Sequence, residues 1–258
     1  MISKLIRAEA TMLWGELKQY GLNTLFYNIG MLVIFIGMFL SVEQSNSGMD
    51  MLFGLVMWQI SSGAIGYLGY VIQDEAMLGT LEQIFMTRTS IFKVFISKIV
   101  VNFTFTSIKA YVLFLICFFV FGLQNEPNNM GFKSVLCIIL IILFVEISFY
   151  MVGLMFGGMA LFFKRVSNVV QLLTYILLFF TNITVPISET PKKIQILSSL
   201  VPIRWAMDVI RDVVNGTEIM TKDVVCLILN IVGYCVLGIV TFIFCINAAK
   251  KTGRLAGY

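Results

Sequence analysis

Histidine is absent from all 258 residues, which removes imidazole general bases, Ser-His triads and His-ligated metals together. Charge is scarce as well: 12% of residues are charged against 59% hydrophobic, with a mean hydropathy of +0.94. A soluble domain of this length could not hide that much apolar surface, so the composition is that of a membrane protein. The five cysteines, Cys117, Cys137, Cys226, Cys235 and Cys245, all lie inside apolar runs without CxxC spacing. They read as small buried hydrophobes, and neither a disulfide framework nor a zinc site is expected. The chain also lacks a G-x-x-x-x-G-K-[ST] phosphate loop, so any ATP that drives it belongs to a partner.

What is present is a series of apolar segments near 22–42, 51–72, 99–121, 134–156, 168–187 and 224–246. Each is long enough for the roughly 20 residues that cross a bilayer. Backbone groups find no water in hydrocarbon, so these segments are expected as helices. The expected fold is an all-α membrane protein of six transmembrane helices forming one domain over 1–258. Ahead of them, 1–20 reads as a helix lying flat at the interface, with Ile2, Leu5, Ile6, Met12, Leu13 and Leu17 on one face and Lys4, Arg7, Thr11 and Lys18 opposite. Glu9 and Glu16 interrupt that apolar face. Lys4, Arg7, Lys18, Arg88, Lys93, Lys98, Lys164, Arg165, Lys250, Lys251 and Arg254 outnumber Lys133, Lys192, Lys193, Arg204, Arg211 and Lys222. The bias places both termini and the first group in the cytoplasm.

Between the second and third spans stands a polar interruption, 74–90, DEAMLGTLEQIFMTRTS. A helix there carries Met77, Leu81, Ile84 and Phe85 on one stripe and leaves Glu75, Glu82 and Gln83 to water. A partner's groove would cover such a stripe; a loop that merely joins two spans fits the same residues. The long outer connection contains Pro186, Pro191 and Pro202, then an apolar pattern that ends at Asn215-Gly216. This punctuation predicts a short helix over 203–214, with Trp205 anchoring it at the outer interface.

Two ionisable residues fall within apolar spans, Lys109 in the third and Glu146 in the fourth, at matching depths on antiparallel helices. An unpaired charge there is costly, so the two are expected to form an intramembrane ion pair, whether to fix helix register or to hold a substrate or proton. Gly63, Gly66 and Gly69 recur along the second span, and Gly153 and Gly157 make a GxxxG in the fourth. Both sets allow close helix approach, within the chain or between subunits.

The order of these parts resembles the membrane subunits of type-2 ABC transporters. The resemblance rests on the basic first helix, the six spans, Glu75 followed by Gly79-Thr80-Leu81-Glu82, and an outer segment carrying Pro202, Trp205 and Arg211. Arg88 stands where relatives often carry a proline. The resemblance implies that 74–90 is a coupling helix docking on a separate ATPase through Glu75, Gly79, Thr80, Leu81 and Glu82. A second contact is implied at Lys164 and Arg165, and an outer re-entrant helical hairpin over 188–214. It further implies a dimer with an identical or related permease, and ATP and Mg bound by the partner ATPase, none by this chain. The function implied is export of a drug, antibiotic peptide or lipid-like molecule from a bacterial plasma membrane. A polysaccharide or polyol-phosphate exporter shares the architecture, and a non-transporting sensor subunit is the rival from another class.

Overall fold

The computed structural model describes residues 2–42, 48–123, 131–163, 166–180 and 191–252. Ten helices make up the described chain: α1 (Ile2–Gln19), α2 (Gly21–Val42), α3 (Gly48–Met77), α4 (Thr80–Met86), α5 (Ile91–Val120), α6 (Phe132–Phe163), α7 (Ser167–Phe180), α8 (Lys192–Ser199), α9 (Pro202–Asn215) and α10 (Thr221–Thr252). No strand occurs among the described residues.

Five helices, α2, α3, α5, α6 and α10, are long and apolar enough to cross a membrane. The fifth span expected from sequence corresponds to α7, whose described part is shorter; 181–187 lie outside the described residues. The long helices exceed the apolar segments read from sequence, because their polar ends continue the backbone hydrogen-bond ladder beyond hydrocarbon.

The core is the packing of α3 on α6, and glycine explains its closeness. A Cβ on Gly153 would stand 2.6 Å from the Ala64 carbonyl oxygen, and one on Gly157 would meet Leu68 at 2.7 Å. The GxxxG therefore serves a contact within the chain. On α3 the glycines divide: Gly69 approaches Val166 beside α7, whereas Gly63 has open space. A further small-residue contact, unmarked by any motif, lets Gly238 of α10 press against the Met151 carbonyl of α6.

At one end of this bundle lie α1 and α4, and at the other lie α8 and α9. The expected helix over 203–214 is present as α9, with Pro202 in its first turn and Gly216 closing it at φ 66°. Trp205 ties α9 to α8: its Nε1 donates to the Ser199 carbonyl at 2.8 Å. Residues 188–190 of the expected outer hairpin lie outside the described residues.

Candidate functional site

The polar interruption at 74–90 folds as a turn rather than as one helix. Helix α3 runs on through Asp74 and Glu75 to Met77, Gly79 takes the left-handed conformation at φ 72°, and α4 starts afresh at Thr80. Glycine bears that backbone without the Cβ clash other residues meet. The reversal divides the expected apolar stripe. Leu81 turns inward and is 4% exposed, with Phe85 half-buried against the core. Met77, Leu78 and Met86 face outward at 67%, 77% and 84%.

Glu75, expected to face water, is instead half-buried and locks the turn. One carboxylate oxygen accepts from the Thr80 hydroxyl across Gly79. The other lies 3.2 Å from the Lys98 ammonium of α5. Lys98 is buried, and its second partner is Glu9 of α1 at 3.3 Å. One cation thus gathers α1, the end of α3 and the start of α5. This explains the acid inside the apolar face of α1: Leu5, Ile6, Leu13 and Leu17 share the half-buried stripe with Glu9. The triad borders a cleft of about 940 Å³ that Glu16, Asp74 and Asn102 also line.

Deeper in the bundle, the expected pair between Lys109 and Glu146 is not formed. Glu146 is 0% exposed and accepts from Thr106 at 2.6 Å and Ser107 at 2.7 Å, both on α5. Lys109 points about 110° around α5 from that face, by the 100° per residue of an α-helix. Its ammonium lies 5.0 Å over the Tyr27 ring of α2 and 6.0 Å from that of Phe105. Depth was matched correctly between the two helices, but azimuth decides who meets. The acid belongs to a ladder: Asn102 donates to the Tyr150 hydroxyl at 2.6 Å, which sits 3.0 Å from the Thr106 hydroxyl.

At the opposite end, Arg211 of α9 meets Asp50 of α3 at 2.8 Å and Asp208 at 3.9 Å. Arg204 donates to the Gln195 carbonyl and the Ser198 hydroxyl while lying over the Trp205 ring at 5.2 Å. Both ends are therefore pinned to the spans by arginine or lysine.

A profile of the ABC-2 type transporter membrane domain matches residues 2–215. The chain belongs to the ABC-2 type transporter family. No curated protein matches it. As an ABC-2 membrane domain it is a multi-pass membrane component of a transporter, of a family that works with ABC ATPases.

Among the residues singled out for ATPase coupling, this ABC-2 domain brings Glu75, Gly79 and Thr80 together in the turn, buries Leu81 and exposes Glu82. Lys164 and Arg165 lie outside the described residues. Of the outer set, Pro202 starts α9, Trp205 binds α8 and Arg211 reaches α3. Sequence reading missed Glu9, Lys98, Asp50, Thr106, Ser107 and Tyr150 as partners. Signals for two of them existed: an acid in an apolar stripe needs a donor, and a lysine at the mouth of a span needs an acid.

Proposed function

We propose that this chain is the permease subunit of an ATP-driven exporter, with six spans, both termini in the cytoplasm of a bacterial cell and α4 as its coupling helix. A separate ATPase carries ATP and Mg, and two permease subunits, identical or related, enclose the path. The cargo is a drug, antibiotic peptide or lipid-like molecule, in keeping with the apolar cavity of about 490 Å³ between α3, α5 and α6.

The observation that carries the reading is the Glu75–Thr80–Lys98–Glu9 lock beside an exposed apolar rim of Met77, Leu78 and Met86. Three large apolar side chains held in solvent by a rigid turn suit a partner's groove, with Glu82 on the rim to set register. Because the turn is tied to α5 by Lys98, a push on α4 is delivered to a span instead of being absorbed by a loop. Leu78→Asp is expected to cut co-purification with the ATPase at least tenfold while leaving the Tm of the purified permease within about 2 °C, since Leu78 makes little contact in the subunit. Undiminished co-purification and transport in this variant would overturn the docking reading and favour a sensor subunit.

A further inference from the structure

A second cavity, of about 490 Å³, opens between α3, α5 and α6. Its walls are apolar and partly aromatic, with Phe53, Val56, Tyr111, Phe114 and Ile139 among them, and its polar floor is Ser107 and Glu146. Tyr111 and Ile139 are exposed at its mouth, so the wedge is reachable sideways from the hydrocarbon. Phe53 and Phe114 stack at 5.3 Å along one wall.

The floor is an acid partnered by hydroxyls alone. A carboxyl at membrane depth costs several kcal/mol in its charged form unless it takes up a proton or a cation answers it. No cationic side chain among the described residues reaches Glu146: Lys109 is turned to Tyr27, and Lys98 is engaged by Glu9 and Glu75. Two hydroxyls, Thr106 and Ser107, occupy one site on each oxygen. A carboxylate has about four acceptor sites, so donors beyond these two are accommodated. The Asn102–Tyr150–Thr106 ladder ends on the acid: Asn102 donates to Tyr150, whose hydroxyl shares a hydrogen bond with Thr106, and Thr106 reaches Glu146. The aromatic walls add faces that attract a cation and repel an anion.

From this juxtaposition we infer that the wedge binds a hydrophobic ammonium ion, its N–H on Glu146 and its apolar body against Phe53, Tyr111 and Phe114. The inference deepens the export reading and rests on it for the meaning of the site as a cargo site. An anion would meet the carboxylate head-on, and a neutral apolar molecule would fill the wedge without using its floor.

The test uses the whole chain in phosphatidylcholine nanodiscs, titrated with dansylcadaverine and with its N-acetyl derivative, the same body without the charge. Signals from empty discs are subtracted. The protein is expected to hold the amine at least tenfold tighter than the acetylated probe. Glu146→Gln should reduce that preference below twofold, and Ile139→Trp, which fills the wedge from its exposed wall, should weaken amine binding by a similar factor. Should Glu146→Gln not fold, the first and third measurements decide. Equal binding of the two probes to the wild-type chain, or an amine preference that survives Ile139→Trp, overturns the inference. Leu78→Asp leaves the preference in place if the wedge binds amines, so ATPase docking and cargo recognition fail or stand separately.

Discussion

Lys98 is the residue on which the α4 end depends, because it alone separates the carboxylates of Glu9 and Glu75. Removing it leaves two half-buried acids facing each other, whereas removing Glu9 leaves Lys98 still answered by Glu75. Lys98→Met is therefore expected to cost on the order of 2 kcal/mol, and Glu9→Gln less than half of that. Thermal unfolding of the detergent-solubilised variants orders them directly. At the opposite end, burial pushes the Asp208 carboxyl above its ordinary range, even though Arg211 and Arg204 pull it down. The folded chain thus holds that proton more tightly than the unfolded chain, and ionisation weakens the fold as pH rises through the raised value. Asp208→Asn is expected to raise Tm near neutral pH, with the gain shrinking as the pH is lowered. A gain that grows on acidification would contradict the sign.

At the scale of elements, glycine positions separate contacts from empty space. Gly153→Ala drives a methyl into the Ala64 backbone and is expected to cost about 1–3 kcal/mol, because a carbonyl cannot rotate aside as a side chain does. Gly63→Ala meets nothing and is expected to stabilise α3 by up to about 1 kcal/mol. Equal effects of the two on Tm would show that α3 and α6 are not packed through this face. The long helices themselves were legible in the sequence, since apolar length and the absence of backbone partners in hydrocarbon leave no other structure. So was α9, through Pro202 and Gly216. The turn at Gly79 was not, because the apolar spacing of Met77, Leu81, Ile84 and Phe85 suits an unbroken helix. Only the left-handed backbone of one glycine splits it. The Lys109 expectation failed for a related reason: residue counting gives depth along a span, and which face it shows depends on packing that a sequence does not state.

For the molecule as a whole, the two ends share a logic. Lys98 pins α1 to the spans and holds the Glu75 to which Thr80 of α4 is bonded, and Arg211 pins α9. The spans between are joined by close apolar contact, with the Glu146 ladder as a polar insertion. Family membership was legible from the order of parts along the chain, whereas the pairing of these cations was not, since their partners lie far away in sequence. Arg211→Ala is expected to loosen α9 from α3 without disturbing the α4 turn. Hydrogen exchange should then rise over Pro202–Asn215 and stay level over Thr80–Met86.

Helix α5 contains neither glycine nor proline from Ile91 to Val120, so it lacks the sharpest helix breakers, and its Ser97, Thr104, Thr106 and Ser107 side chains bond back to carbonyls of the preceding turn. Lys98 and Thr106 stand eight residues apart on it, about 12 Å of unbroken rod. The continuous backbone hydrogen-bond ladder between them couples a rotation at the first to the second. A hydroxyl that swings with the rod must either drag the Glu146 carboxyl along or let it go, so in the proposed exporter gripping and releasing a cargo would be two orientations of one shaft.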